Sequence, residues 1–472
     1  MKSKIFFSIG FALSLLCAAC SDSSTSADIA DIADNSDEET TEDTLIHKNQ
    51  NIETENGATF ETKGSGFSNE FGFSEDGVIV VRDSYKGDFM VSASYDATEA
   101  PSVMEPEMLV DEYVPIDYAP GGDFGEYNGK TYGLLTASEW NDLDNWSAWA
   151  DILTGEFSDK TTYWKFHPTT LAVVKVVDEN GTGLANVSVE LLNGKDVEFA
   201  TKTDNKGLAY CWVRLFDDAT KETVNAKDFS LKVNGKVSED PVKLSILSDE
   251  LKINTITSDA KQADAKADIA FIVDATGSMG DEIRFLQSDL KYIIDHAHSE
   301  TNVALRTAVE FYRDEDDEYV IQGKDFSTDV ANTQTFIDEQ VASGGGDYPE
   351  AVHTALESSL QNFSWNESAR ARIAFLILDA PAHHQDDVIE SLQKSITLYA
   401  KHGIKLIPVA ASGVDKDTES MLRFFEIITG GTYVFLTDDS GIGYSHIEAS
   451  VGDHEVEKLA DLMIRLIKKY VE

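Results

Sequence analysis

The C-terminal half of the chain alternates two hydrophobic patterns. Short continuous apolar runs, typical of strands buried on both faces, are separated by stretches in which apolar residues recur every three or four positions, as on one side of a helix. These patterns predict strands at residues 268–273, 304–311, 372–378, 404–409 and 432–435, and helices at 281–297, 332–341, 350–362, 387–401, 417–428 and 455–469. Their order predicts a doubly wound α/β domain over residues 266–472, with a parallel sheet that binds ligands beyond the carboxyl ends of its strands.

Residues 169–257 show short strands separated by turns instead. Residues 171–177 and 187–191 predict strands, and Gly181 and Gly207 fall in turns. The pattern resembles the small β-sandwiches of the carboxypeptidase-regulatory or bacterial immunoglobulin-like type. This resemblance implies a multidomain chain in which a β-sandwich module precedes the α/β domain.

Residues 63–168 form a less regular, β-rich region. Strands are predicted at 77–81 and 89–93. Residues 135–149 contain a Thr-x-x-Glu sequence typical of helix N-termini, and Trp146 and Trp149 would share one face of the predicted helix. An aromatic carbohydrate-binding surface is one interpretation of these tryptophans, and packing in a core or between domains is the favoured one.

The N-terminus has the layout of a secretory signal, predicted at residues 1–19. Two lysines precede an apolar run at 5–16, and small residues end at Cys20. The run is short for a permanent membrane span. Residues 16–20 resemble a bacterial lipobox, which implies cleavage before Cys20 and lipidation of its thiol, although Cys17 stands where that pattern prefers an aliphatic residue. Plain secretion and a signal retained in the membrane are the alternatives.

Residues 20–62 are mostly Ser, Asp, Thr and Glu, so they cannot bury enough apolar surface to offset chain entropy. They predict a disordered acidic spacer. Across the chain, 38 Lys and Arg stand against 85 Asp and Glu, and the net charge of −47 repels nucleic-acid phosphates and anionic lipids. We therefore expect no nucleic-acid partner, and contact with a membrane only through the lipid anchor.

The three cysteines predict no intramolecular disulfide. Processing before Cys20 removes Cys17, and lipidation uses Cys20, which leaves Cys211 alone. Its place in an apolar run predicts a thiol that is buried in a strand and reacts slowly.

Oxygen-bearing side chains occur in three loops of the α/β domain. Asp274, Thr276 and Ser278 follow the first predicted strand, Asp347 ends a Ser-Gly-Gly-Gly run before a helix, and Asp379 follows the third strand. A parallel sheet brings such loops to one edge. Hydroxyl and carboxylate oxygens are the hard ligands that Mg²⁺ prefers. The sequence therefore predicts one cation site at this edge.

The three loops resemble the metal-ion-dependent adhesion site of von Willebrand factor type A domains, in the branch that includes hemicentin-like and bacterial extracellular members. The resemblance implies a Rossmann-like fold and a bound Mg²⁺, with Mn²⁺ or Ca²⁺ as alternatives. It implies that Thr276 and Ser278 ligate the ion directly and that Asp274 and Asp379 act through water. Asp347 stands where integrin-type members carry a threonine.

Each loop also has a simpler interpretation, and the residues from Thr276 to Ser278 could be a plain strand-to-helix turn. Asp347 and Glu350 could cap the following helix, and the loop at 314–318 could be a solvated acidic loop or a weak calcium site. A zinc site at His383 and His384 is disfavoured, because adjacent histidines rarely reach one ion.

Motifs for hydrolysis or nucleotide binding are incomplete. The Thr-Gly-Ser-Met-Gly sequence lacks the first glycine of a serine-hydrolase elbow, and His454-Glu455 lacks the second histidine of a zinc-protease helix. We therefore expect a binding or adhesion protein rather than an enzyme, anchored in a bacterial cell envelope, at the outer membrane or cell surface. Its expected partner is a protein or other ligand with an exposed carboxylate. A metal-dependent hydrolase and an envelope assembly scaffold with a structural metal are the alternatives.

Overall fold

The computed structural model describes residues 70–73, 78–82, 125–127, 130–132 and 135–472, with gaps at 218–223, 248, 281–282, 347 and 441–447. Its strands are β1 (Glu70–Phe73), β2 (Val78–Arg82), β3 (Gly125–Tyr127), β4 (Lys130–Tyr132), β5 (Thr136–Trp140), β6 (Thr170–Val177), β7 (Ser188–Asn193), β8 (Asp196–Lys202), β9 (Leu208–Trp212), β10 (Phe229–Val233), β11 (Lys236–Val237), β12 (Ser245–Ile246), β13 (Ile253–Thr257), β14 (Asp264–Asp274), β15 (Ala304–Tyr312), β16 (Ile321–Ser327), β17 (Ala369–Leu378), β18 (Ile404–Ala410), β19 (Tyr433–Leu436) and β20 (Glu457–Lys458). Its helices are α1 (Trp146–Thr154), α2 (Lys160–Trp164), α3 (Ile283–Glu300), α4 (Val330–Asp338), α5 (Val352–Asn362), α6 (Asp386–His402), α7 (Lys416–Thr429) and α8 (Leu459–Val471). All described residues belong to one compact unit, 57–472.

A ten-stranded mixed sheet organises the α/β part, in the order β1-β2-β16-β15-β14-β17-β18-β19-β5-β20. Its centre, from β15 to β19, is parallel, as predicted. The flanking strands pair antiparallel. Strand β16 was not predicted, because its Ile-Gln-Gly-Lys-Asp-Phe-Ser sequence has no continuous apolar run.

Helices cover both faces of this sheet, which explains the continuous apolar strands. Along β14, Ile269, Phe271 and Val273 face a core shared with α3, α4 and α8. Ala270 and Ile272 face the opposite core, shared with α5, α6 and α7. Successive side chains of a strand alternate between faces, so a strand buried on both sides needs apolar residues at every position.

The helix predicted at 135–149 is wrong in its first part. Residues 136–140 form β5, which pairs antiparallel with β19 on one side and with the short edge strand β20 on the other, and the helix begins only at Trp146. Thr136 does not cap a helix; its hydroxyl lies 2.8 Å from that of Thr437. Pairing with a distant strand therefore overrides the local capping pattern. Trp146 and Trp149 are buried, which confirms the packing interpretation.

Residues 170–257 form two small sheets. One has the order β11-β10-β7-β8, and in the other β6 pairs with β9, β12 and β13. They pack against the α/β part through α7: the indole of Trp212 is buried and donates to the carbonyl of Ile428 at 3.1 Å. The strands predicted at 171–177 and 187–191 correspond to β6 and β7, and the sandwich class remains a prediction.

Several N-terminal predictions lie outside the described residues: the signal at 1–19, Cys20, the spacer at 20–62 and the strand at 89–93. The strand predicted at 77–81 corresponds to β2, which pairs with β16 of the large sheet. In the described part of the chain, no helix combines the length and the apolar character that a bilayer span requires.

Cys211 lies in β9 and is completely buried, as predicted. Burial raises the pKa of its thiol far above the ordinary value, so little reactive thiolate exists at neutral pH. We expect a maleimide to label Cys211 at least about 100-fold more slowly in the native protein than in the unfolded chain, because labelling requires opening of the sheet. Peptide mass spectrometry over time measures this rate, and equal rates in both states would contradict the burial.

Candidate metal centre

The first loop presents two hydroxyls beside a buried carboxylate. Asp274 ends β14 and is completely buried. Its Oδ1 accepts the backbone N–H of Thr276 at 2.9 Å and the Thr276 hydroxyl at 2.7 Å, and that hydroxyl lies 3.1 Å from the Oγ of Ser278. Because the Thr276 hydroxyl donates to Asp274, its oxygen lone pairs remain available to a cation.

The second carboxylate oxygen of Asp274 is buried and has no hydrogen-bond partner among the described residues. Burial, followed by the charge of Asp379, raises the pKa of Asp274 to about 7, and hydrogen bonds from Thr276 oppose this rise. The nearby hydroxyl of Tyr312 on the neighbouring strand also lowers this pKa, although the two side chains do not meet the geometry of a hydrogen bond. An unpaired buried carboxylate is costly unless a proton or a cation compensates it.

The second loop is pressed against the first by close backbone contacts. The N–H of Gly277 donates to the carbonyl of Gly344 at 3.0 Å, and the N–H of Ser343 donates to that of Ala275 at 3.0 Å. Gly344 has φ +84°, and a Cβ there would lie 2.1 Å from the carboxylate of Asp317. The run of glycines therefore allows an approach that larger residues would block.

Asp317 fixes this glycine run from the acidic loop at 314–318. Its Oδ2 accepts the backbone N–H of Gly345 at 2.8 Å and that of Asp314 at 3.1 Å. The acidic loop therefore braces the second loop, a role that the solvated-loop interpretation did not include. Asp347, the predicted ligand of the second loop, lies outside the described residues.

The third loop follows β17. Asp379 is buried at this strand end, and β17 pairs in parallel with β14, with Val273 opposite Ile377, so the structure brings Asp274 and Asp379 to neighbouring strand ends. His383 contacts Asp314, with Nε2 and Oδ1 2.8 Å apart. His384 instead stacks on Tyr163, with ring centroids 3.7 Å apart. The two histidines therefore face different neighbours, which agrees with rejecting a zinc site between them.

Glu350 also lies beside this site, although the sequence was equally consistent with Asp347 and Glu350 as caps of the following helix. The structure does not show a cap by Glu350, because α5 begins after Ala351 without any side-chain capping bond. Glu350 is only 2% exposed, and burial together with nearby carboxylates, Asp274 first, raises its pKa to about 9. The position of a glutamate three residues after Asp347 was the available signal, but the same spacing also suits a cap.

The described residues fit a hard divalent cation in part. Two hydroxyl oxygens lie 3.1 Å apart beside a buried carboxylate oxygen that has no hydrogen-bond partner among the described residues. Within the described ranges, no three His, Cys, Asp or Glu side chains are gathered into a cation cage. A site of two hydroxyls and water-mediated carboxylates does not need such a cage, since Mg²⁺ usually keeps several waters.

Residues 268–417 match the sequence model of the von Willebrand factor A domain. An ariadne-like RING finger protein of Acanthamoeba polyphaga mimivirus is 33% identical over 132 residues, which are 28% of this chain and 13% of that protein.

Two solved structures are similar to part of this chain at low identity. Proximal thread matrix protein 1 from the mussel byssus, with a zinc-occupied MIDAS motif, is 20% identical and covers 44% of this chain and 47% of its own, with a TM-score of 0.31. An aerotolerance-related membrane protein from Bacteroides fragilis is 12% identical and covers 43% of this chain and 98% of its own, with a TM-score of 0.29.

Proposed function

We propose that the von Willebrand factor A domain of this chain binds a divalent cation, Mg²⁺ first, and recognises a partner through it. The observation that carries the proposal is the loop in which Asp274 holds the hydroxyl of Thr276 beside that of Ser278 while its own Oδ2 stays buried and, among the described residues, without a hydrogen-bond partner. Thr276, Ser278 and Asp347 would hold the ion directly. Asp274 and Asp379 would hold its water.

The bound cation would supply a Lewis acid at the edge of the sheet, with an open position for an anionic oxygen. The protein supplies orientation: Asp274 fixes the Thr276 hydroxyl, and Asp317 fixes the glycine run beside it. A carboxylate of a protein or another ligand is the group that such a position selects. The acidic chain favours this partner over a nucleic acid.

We propose binding rather than hydrolysis because the hydrolase motifs of the sequence are incomplete: Thr-Gly-Ser-Met-Gly lacks the first glycine of a serine-hydrolase elbow, and His454-Glu455 lacks the second histidine of a zinc-protease helix. Incubation of the protein with an envelope extract, in Mg²⁺ and in chelator, tests the proposal. A partner retained only in Mg²⁺ supports it, and equal recovery in both buffers refutes cation-mediated recognition.

The charge at position 347 is expected to set the balance between metal and partner affinity. Asp347→Thr removes one negative charge and keeps an oxygen ligand, so Mg²⁺ should bind roughly 10-fold more weakly while partner binding is retained or increased. Calorimetry of Mg²⁺ binding and partner capture at saturating Mg²⁺ measure the two effects. Unchanged metal affinity would show that Asp347 is not a ligand.

We also propose that lipidation of Cys20 anchors the chain in a bacterial envelope. The lipobox-like residues 16–20 support this proposal. Labelling of cells with a fatty-acid analogue is expected to mark the wild type and to be lost in Cys20→Ala, with Cys211→Ala, which keeps Cys20, as the control. An unlabelled wild type contradicts the anchor and leaves the cation site untouched.

A further inference from the structure

We propose that Tyr348 contacts the protein partner of the cation site, and that this partner carries a basic side chain, arginine first, close to the carboxylate that binds the ion. The proposal rests on the proposed function, because it assumes a contact through a cation. It goes beyond that function by naming an interaction surface and the charge of the protein segment that fits it. Tyr348 is not one of the predicted ligands.

Tyr348 presents an open aromatic ring beside the proposed ion. It directly follows Asp347 in the second loop, so its Cα lies about 3.8 Å from that of a proposed ligand. Its side chain is 43% exposed. Tyr163 on the same edge is covered instead, because its ring stacks on His384 with centroids 3.7 Å apart and has Nζ of Lys160 at 5.8 Å from its centre.

Two hydrogen bonds fix the hydroxyl of Tyr348 to the start of α7. This hydroxyl accepts the backbone N–H of Asp415 at 3.1 Å and lies 3.2 Å from the hydroxyl of Thr418. Because Thr418 donates its own proton to Oδ1 of Asp415 at 2.8 Å, Tyr348 is the donor to Thr418. The hydroxyl is therefore satisfied within the protein, and the exposed ring is held in place before any partner arrives. Rigid tyrosine rings of this kind lose little conformational entropy when they bind.

The surroundings of this ring are acidic. Burial of the hydroxyl raises the pKa of Tyr348 to about 12, and the negative charges of Asp415 and Asp379 contribute to that rise. Asp386 and Asp387, in the first turn of the helix that follows the third loop, are exposed at the same edge of the sheet. A cationic group over the ring is attracted both by the ring face and by these carboxylates, whereas an apolar group gains only contact area.

The predicted ligands select the same kind of partner. Asp274, Asp347 and Asp379 together carry one more negative charge than a divalent ion carries positive charge, so the loaded site stays slightly acidic. A carboxylate from the partner would add a second negative charge. A basic side chain next to that carboxylate offsets it. An extended protein segment can present both groups within about three residues, because each residue spans roughly 3.3–3.6 Å.

Two variants separate the ring of Tyr348 from its bulk. Tyr348→Leu keeps an apolar side chain and removes the π face, and Tyr348→Phe keeps the ring. Phe216→Leu is the matched control: Phe216 is 38% exposed, and its ring packs edge-on against Phe166, 5.7 Å away, in the segment after β9. An exposed cation–π contact changes affinity by about 2- to 5-fold. We expect this preference for arginine in the wild type, in Tyr348→Phe and in Phe216→Leu, and its loss in Tyr348→Leu.

The experiment measures binding of the full chain to three immobilised alanine-serine peptides by biolayer interferometry, in Mg²⁺ and in chelator. The first peptide has one glutamate and an arginine two residues after it. The second has leucine in place of the arginine, and the third has glutamine in place of the glutamate. Calorimetry of Mg²⁺ binding to each variant is the second readout, and Tyr348→Leu should match the wild type there.

Tighter binding of the arginine peptide than of the leucine peptide, seen only in Mg²⁺ and lost in Tyr348→Leu, supports the proposal. Equal binding of these two peptides by the wild type overturns it, and so does an arginine preference that persists in chelator or in Tyr348→Leu, since the acidic surface as a whole then explains it. A wild type that binds Mg²⁺ but none of the peptides also overturns it, while cation binding stands. A wild type that does not bind Mg²⁺ refutes the proposed function itself.

Discussion

Replacing Asp274 with alanine is expected to abolish both cation binding and partner recognition. Asp274 is completely buried at the end of β14 and accepts the Thr276 hydroxyl at 2.7 Å. Its replacement by alanine therefore removes one negative charge from the site and leaves the Thr276 hydroxyl without the hydrogen bond that orients it. We expect the affinity for Mg²⁺ to fall by at least about 100-fold, the upper range for residues that orient metal ligands. Isothermal calorimetry measures the affinity, and capture of the partner from envelope extract measures recognition.

Asp264→Ala is the matched control for this variant. Asp264 begins the same strand at the opposite end, where it pairs with Lys266 at 3.0 Å on the exposed surface. Its replacement should change neither measurement. If Asp274→Ala, Ser278→Ala and the wild type bind Mg²⁺ and partner alike, the three loops are ordinary turns and the adhesion-site interpretation fails. Thermal unfolding of each variant distinguishes a lost site from a lost fold.

The second large effect, a loss of folding stability, is expected when Arg423 is replaced. Arg423 lies in the core between α7 and the segment after β5. Its guanidinium forms a two-pronged ion pair with Asp142, one arm at 2.9 Å, and both residues are almost completely buried. It also lies 5.6 Å from the ring of Trp149. Arg423→Met removes the cation and leaves the carboxylate of Asp142 buried. Removing one partner of such a buried pair lowers the free energy of unfolding by about 3–5 kcal/mol. Urea unfolding of the variant and the wild type measures this difference.

Arg465→Met provides the comparison. Arg465 bridges Glu139 of β5 and Glu457, but its side chain is 45% exposed, and surface ion pairs contribute only about 0–1 kcal/mol. We expect Arg423→Met to lower the free energy of unfolding much more than Arg465→Met does. If Arg423→Met lowers it by less than about 1 kcal/mol, as for a surface pair, then Asp142 finds another partner or takes up a proton.

This ion pair also shows why the α/β part extends beyond residues 266–472. Asp142 stands between β5 and α1, about 120 residues before the first strand of the predicted domain. Strand β5 completes the sheet beside β19, and the indole of Trp164 in α2 donates to the carbonyl of Asp417 at 3.0 Å. Segments that are distant in sequence therefore complete the sheet and cover α7.

Local pattern was sufficient for the centre of the fold. The five predicted strands and six predicted helices of residues 266–472 correspond to β14, β15, β17, β18 and β19 and to the helices from α3 to α8, with ends displaced by a few residues. The spacing of apolar residues along a strand or a helix indicates which of its residues are buried. Such elements can therefore be predicted without knowing which other elements they contact. The order of Asp274, Thr276, Ser278 and Asp379 at strand ends likewise placed the candidate site at one edge.

Tertiary structure decided what local pattern could not. Strand β5 resembles a helix start and becomes a strand only because β19 offers an unpaired edge. Glu350 resembles a cap, and its burial beside Thr276 follows from a backbone bond to Pro381, which lies 31 residues further along the chain. Asp317 lies in an acidic sequence that is typical of a solvated loop, and only the folded chain brings the N–H of Gly345 to its carboxylate. In each case the deciding partner is distant in sequence, so the sequence by itself determined the elements and the folded chain determined which side chains meet.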